Sequence, residues 1–235
     1  MKAIFKKELR SYFCSPLGYV FIAVFALVTA MFFFVYNLVQ GLGDINYLFS
    51  NISLLLVLIV PVLTMRSFAE EKSRKTDQLL LTCPISVGEI VAGKTLAAYV
   101  VFALALGLTL IYPLILSFYT ELAWTVVLCN YLGFFFMGAA FISVGIFISS
   151  FTENLLIAAV SSFGALFALY LMDWISVSVS NSVVAALANA VSVTARYTDF
   201  SIGVINIAHV VYYISFIAVF AVLTIANIEK RRWIK

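Results

Sequence analysis

The chain has 235 residues, 64% of them hydrophobic and 11% charged, with a mean hydropathy of +1.12 and a formal charge of +3. A water-soluble domain of this length is about half apolar and a quarter charged, so the composition excludes a soluble globular protein and indicates a polytopic membrane protein. The basic residues form no stripe interleaved with aromatics, which excludes a nucleic-acid footprint, and Cys14, Cys83 and Cys129 have no spacing that points to a metal or a disulfide.

In chain order, residues 1–16 read as an amphipathic interfacial helix. Phe5, Leu9, Tyr12 and Phe13 share one arc of a helical wheel and Lys6, Lys7 and Arg10 another, with Lys2 at the edge of the apolar arc. Such a helix lies in the headgroup plane with its lysines reaching outward. Ser15-Pro16 then suits a helix start, serine as cap and proline at the first position. Six apolar runs follow, each long enough to cross about 30 Å of hydrocarbon as a helix: 17–39, 47–65, 87–118, 123–149, 154–174 and 206–228, with 229–235 a basic tail. The first run is too long for a signal-peptide core and no cleavage site follows it, so it is retained. The third and fourth exceed the bilayer, which implies tilt or projection. Residues 17–228 thus form one all-α membrane domain.

Between the second and third runs stands RSFAEEKSRKTD, residues 66–77, seven of them charged. Ala69–Lys75 has room for one or two polar helical turns. Thr76 can cap a second short helix, Asp77–Thr82, with Leu79, Leu80 and Leu81 as an apolar anchor, and Pro84 ends it because the residue before proline avoids helical geometry. A polar surface with a leucine anchor suits a docking knob, in which charge sets register and apolar area supplies affinity; a plain solvated loop has the same composition. Residues 88–95, GEIVAGKT, satisfy the phosphate-loop pattern. Their context is wrong, with Pro84 where a buried strand belongs and a membrane run immediately after. Ser86 and Glu89 instead read as a capping box opening the third span, and Lys94 as a snorkelling anchor. Residues 175–205 are the long outer loop, with a helix-like stretch at 183–193 that either lies on the surface or dips in as a re-entrant segment.

Thirteen of the 14 basic residues fall before the first span, around the second-to-third connection or after the last span; Arg196 is the exception. The positive-inside rule places that face, and both termini, in the cytoplasm. The chain carries no catalytic constellation: His209, the one histidine, reads as an interfacial polar residue. The eleven acids sit near the ends of the spans, whereas ion-coupled carriers need acids in mid-membrane. The mid-span polar groups Ser53, Asn130, Ser143, Ser161 and Ser162 suit hydrogen bonds between helices.

RSFAEEKSRKTDQLLLTCPISVGEIVAGK, residues 66–94, resembles the intracellular loop of ABC-2 type permeases, the six-helix membrane subunits of ATP-binding-cassette exporters. Glu70, Glu71, Lys72, Thr76, Leu79, Leu80, Pro84, Gly93 and Lys94 match that pattern; Lys75 stands where glycine is usual and Gln78 where glutamate is usual. SSFTENLLIAA, residues 149–159, is similar to the family's loop between spans four and five, with Thr152 placed to cap the fifth helix. TDFSIGVINIAHVVYYISF with EKRRW looks most like the gliding-motility-type branch. The resemblance implies a homo- or heterodimer of such chains clasped by two copies of a cytoplasmic ATPase that holds the ATP and magnesium, with no cofactor bound by this chain. It implies a coupling helix in the second-to-third loop, a smaller second contact at Thr152, Glu153 and Asn154, and a path lined by spans two and five, where Ser53, Ser161 and Ser162 lie. It places the chain in the cell membrane and the segment before span six at an outer gate. Two other readings stand beside it: a membrane anchor or assembly subunit that recruits a cytoplasmic partner, and a secondary carrier.

Overall fold

The computed structural model describes residues 1–41, 43, 45–76, 85–178 and 188–234, apart from the side chains of 177 and 231–234. The described residues form helices joined by turns and short loops, without strands. Helix α1 (Lys2–Cys14) leads into α2 (Pro16–Phe32), whose last turns widen to a π-helix at Phe33–Val39. Then come α3 (Asn46–Thr64), α4 (Arg66–Ser73), α5 (Val87–Leu108), α6 (Ile111–Leu116), α7 (Trp124–Ser149), α8 (Leu155–Ser178), α9 (Tyr197–Ser201) and α10 (Ile207–Ile234). Six helical stretches are long and apolar enough to cross a membrane: Pro16–Val39, Asn46–Ser73, Val87–Leu116, Trp124–Ser149, Leu155–Ser176 and Ile207–Lys230. The protein is a multi-pass membrane protein, and the expected spans agree with these to within a few residues, with one exception.

The exception is the second span. Hydropathy ends it at Met65, but the helix turns at Met65 and resumes as α4, so the first half of the charged hairpin grows directly out of the span. Arg66–Ser73 is made of good helix formers, and backbone propensity continues where hydropathy stops. Pro61 lies one turn before the bend, where its missing N–H removes one helical hydrogen bond. A left-handed cap ends α4. Lys75 has φ +56, its amide donates to Lys72 O at 3.0 Å, and the Thr76 amide donates to Glu71 O at 2.9 Å. Glycine is the residue suited to that position, which accounts for glycine being usual there in the pattern this segment resembles; Lys75 adopts the same conformation at a cost. Lys75→Gly is expected to raise stability by roughly 0.5–1 kcal/mol, read as a higher melting temperature in detergent.

Helix α7 is the axis of the bundle. It packs against α3, α5, α8 and α10 and is the most enclosed of the spans, whereas α8 and α10 lie largely exposed on the outside. Phe49, Phe102, Phe134 and Phe141 are fully buried around it. Glycines on α7 let its neighbours approach: a methyl group at Gly145 would overlap Thr64 of α3, and one at Gly138 would overlap the Phe102 ring of α5. Small residues at such seams replace the hydrophobic drive that lipid does not supply. Gly145→Ala is expected to cost about 1–3 kcal/mol through overpacking, measured by thermal unfolding in detergent.

The end of the bundle away from α4 is closed by polar bonds. Asn130 Nδ2 donates to Asn46 Oδ1 at 2.8 Å and to Ser201 O at 3.2 Å, while Tyr197 Oη donates to Asn130 Oδ1 at 2.7 Å. Arg196 donates to Asn189 O and Ser192 O and lies 3.6 Å over the Tyr212 ring. The one basic residue outside the main cluster thus holds the segment before the last span together. Asn130 and Ser143, which meets Tyr99 Oη at 2.7 Å, do bond between helices as expected. Ser53 and Ser161 bond within their own helices instead, to Ser50 O and Ile157 O. Of the expected helix at 183–193, residues 188–191 are helical and 183–187 lie outside the described residues.

Candidate functional site

At the basic end, α1, α4 and the start of α5 meet around one lysine. On α1 the residues Ile4, Glu8 and Tyr12, four apart, face inward, with Phe5, Leu9 and Phe13 half-buried beside them. Ile4 lies against Gly93, so the glycine lets α1 seat on α5. One turn further along α1, Glu8 Oε1 lies 3.0 Å from Lys94 Nζ. Lys94 also reaches Glu71 Oε2 at 2.9 Å and Ser67 O at 2.7 Å. An ammonium has three N–H donors, and these three acceptors use them all. The Phe68 ring covers the group at 5.0 Å. Lys94 is 2% exposed, so it is not the snorkelling anchor expected from its place at the membrane edge: two acids on separate elements draw it inward.

Lys7 completes the cluster from the rim, 2.8 Å from Glu71 Oε1 and 3.4 Å from Glu8. Partial burial lowers the Lys7 pKa, but the hydrogen bond and field of Glu71, with Glu8 behind, more than offset this and raise it, so it stays charged. Tyr12 Oη donates to Leu63 O at 3.2 Å and lies 3.5 Å from Ser67 Oγ. Burial pushes its phenol up to about 12 against the hydrogen bond of Ser67, which keeps it a neutral donor. A cavity of about 410 Å³ opens beside these groups, walled by Ser11, Ser15, Arg66, Glu70, Arg74 and Thr76.

The hairpin residues divide by direction. Glu70 faces outward between Arg74 at 2.8 Å and Arg66 at 3.6 Å. Thr76 is exposed, its hydroxyl donating to Glu71 O at 3.2 Å. Glu71 points inward to Lys94. Lys72, expected with the outward coupling residues, is buried instead, and its ammonium donates to the carbonyl of Ser150 in the turn between α7 and α8. A helix eight residues long cannot present every side chain to one side, and α4 packs on α7 and α8. Leu79, Leu80 and Pro84 lie outside the described residues.

In the α7–α8 turn, Asn154 rather than Thr152 caps the next helix. Asn154 Oδ1 accepts from the Leu156 amide at 2.9 Å, while Thr152 Oγ1 accepts from the Asn154 amide at 3.1 Å. Asparagine in the position next to the helix reaches the second amide directly. Glu153 is exposed between them. Ser53 and Ser162 are buried on α3 and α8, which pack together, whereas Ser161, one residue away, faces outward. Ser15 stands at the cap position of α2, but its hydroxyl lies 3.5 Å from Tyr12 O, within the α1–α2 corner.

GEIVAGKT lies wholly inside α5, opened by Ser86, whose Oγ accepts from the Glu89 amide at 3.3 Å. Its residues lie in helix rather than in a phosphate-cradling loop: Gly93 is inside α5, where amides bond within the helix, and Lys94 is held by carboxylates. Sequence reasoning missed Glu8, Ser67, Ser150 and Asn227 as parts of this end. An acid standing between Ile4 and Tyr12 at four-residue spacing was the available signal for Glu8; Ser67 and Ser150 hold the two buried lysines through backbone carbonyls, which no residue type reveals.

No curated protein matches the chain. A family model described as an ABC-2 family transporter protein matches residues 35–172, more than half of the sequence. The match runs from the end of the first span through the fifth and takes in α4, Lys94 and the α7–α8 turn. With this match, six membrane-crossing helices and the charged helix α4 following the second, the chain belongs to the ABC-2 transporter family.

Proposed function

We propose that this chain is the membrane permease subunit of an ATP-binding-cassette exporter of the gliding-motility-type branch, and that the hairpin 66–84 is the handle by which a separate ATPase moves it. In this reading the basic end and both termini are cytoplasmic and the membrane is the cell membrane. Two permease chains, identical or different, pair above two ATPase copies, which bind the ATP and magnesium. One observation carries the reading: α4 is an extension of the second span that is keyed into the bundle by Glu71, Lys72 and Phe68 while Glu70, Arg74 and Thr76 face away. A solvated loop needs no such keying. A handle does, because force applied to its outer face must reach the spans without the hairpin folding over.

Leu79, Leu80 and Pro84 complete the handle in this reading. Glu153, with Thr152 and Asn154, forms the smaller second contact, and α1 lies along the inner membrane surface. Ser53 and Ser162, buried on spans two and five, which pack together, are assigned to the path in this reading; Ser161, facing away from the bundle, is assigned to it only if a second chain closes over it.

The test is copurification. The tagged full chain, expressed with a candidate ATP-binding-cassette ATPase from the same genome, is expected to bring that ATPase down at equal stoichiometry and to give vanadate-sensitive ATP hydrolysis in nanodiscs. A chain that binds the ATPase yet leaves its hydrolysis unchanged by any lipid, peptide or drug is an anchor. A chain that transports without vanadate sensitivity is a carrier.

A further inference from the structure

The last span has polar bonds at both of its ends. At the basic end, Asn227 Nδ2 donates to Ser150 O at 3.1 Å and to Ser150 Oγ at 2.8 Å. Ser150 is fully buried, and the same carbonyl accepts the Lys72 ammonium. One carbonyl oxygen therefore joins the hairpin helix, the α7–α8 turn and α10. At the far end, Tyr213 Oη donates to Val193 O at 2.8 Å, Tyr212 Oη to Val191 O at 3.0 Å, and His209 Nδ1 lies 3.2 Å from Arg196 O. These three bonds hold the segment before the last span.

Between the two ends α10 is built to stay straight. It contains neither proline nor glycine, and kinks in helices arise at such residues or at inserted groups. From His209 to Asn227 the helix runs about 27 Å at 1.5 Å per residue, nearly the full hydrocarbon thickness of about 30 Å. A stiff helix fixed by hydrogen bonds at its ends and bordered elsewhere by apolar side chains moves as a unit when one end is displaced.

We infer that α10 is a transmission rod, in which Asn227 and Tyr213 are positioning residues that carry displacement of the hairpin to the outer segment. The inference rests on the permease reading for its source of force. It adds a route: Lys72 to the Ser150 carbonyl, to Asn227, along α10, and out through Tyr213 to Val193. It does not pass through the second span, from which the hairpin itself springs. The hairpin then acts on both ends of the path at once, through α3 directly and through α10 by this relay. Such a relay is established only by showing that the far element responds to the near one.

The experiment uses the full chain with its copurified ATPase in nanodiscs. The three native cysteines are replaced by serine and a single reporter is introduced, Ile202→Cys, at an exposed position of the outer segment. The rate of labelling by biotin-maleimide is compared without nucleotide and after trapping with ATP and vanadate. In the reporter background the rate is expected to change about fivefold or more on trapping, and in Asn227→Leu and Tyr213→Phe by less than about twofold. Asn227→Gln, which keeps the donor, is expected to restore much of the response. The nucleotide-free rate and the amount of bound ATPase stay unchanged, whereas a merely structural role would move the nucleotide-free rate as well. If Asn227→Leu does not fold, Tyr213→Phe decides, since it keeps the ring stacked on Phe136 and removes one oxygen. A full response in these variants with ATPase bound overturns the relay and leaves the permease reading standing. Absence of ATPase, or of any response in the reporter background, overturns the permease reading and the relay with it.

Discussion

Lys94→Met is expected to destabilise the protein by about 3–5 kcal/mol, the cost of removing one side of a buried ion network. Without the ammonium, Glu8 and Glu71 face each other across the space it occupied, and the Ser67 carbonyl loses its donor. Lys7 cannot replace it, because Lys7 approaches from the exposed rim. The sign of the effect has a check. Replacing all members of a buried ion cluster by neutral residues of similar size is often harmless, so Lys94→Met with Glu8→Gln and Glu71→Gln is expected to recover most of the loss. Thermal unfolding in detergent measures both. A single variant as stable as the parent would mean that Lys94 is not enclosed by the two acids. The expected consequence extends to assembly: with the cluster broken, α1 loses its tie to α4 and becomes more open to protease, which limited proteolysis near residues 6–10 would reveal.

The second large effect separates two neighbouring glutamates that the sequence presents as equivalent. Glu71→Lys is expected to give little folded protein, because it places a third cation beside Lys94 and Lys7 and leaves Glu8 as the one acid among them. Glu70→Lys is expected to fold normally. It gives up partly buried bonds to Arg66 and Arg74, each four residues away in the chain, of a kind that contributes little. In the permease reading Glu70→Lys keeps its spans but loses the ATPase from pulldowns or uncouples its hydrolysis from transport. Yield and elution profile of the purified chain report the first outcome, and ATPase copurification the second. A Glu70→Lys chain that binds and couples as the parent does would remove the hairpin's outer face from the ATPase contact. A double charge reversal at both positions would not be informative, because loss of folding would conceal loss of coupling.

The candidate site was half legible. Glu70 and Thr76 are placed outward by the register of α4, as a docking surface needs, and the hairpin's position between spans two and three is plain from charge alone. Lys72 was not legible. Its neighbours are charged and its composition is that of a surface helix, yet it is buried against a carbonyl 78 positions away in sequence. Lys94 misled for a related reason. A lysine at the start of an apolar run ordinarily snorkels to water, and this one turns inward because Glu8 and Glu71 are brought to it by two other helices. Cap assignments show the same limit on a smaller scale: Thr152 and Asn154 are both capping residues, and two positions of register decide between them.

The sequence by itself determined the helical class, the six crossings and the concentration of charge at one end. These follow from residue-by-residue transfer free energies, which each segment carries independently of its neighbours. Only the tertiary structure decided which charges are enclosed, that the hairpin helix is an extension of the second span, and that the hairpin, the α7–α8 turn and the last span converge on the Ser150 carbonyl. Those depend on the distance between residues far apart in the chain and on main-chain acceptors that every residue possesses, and neither is written in residue type.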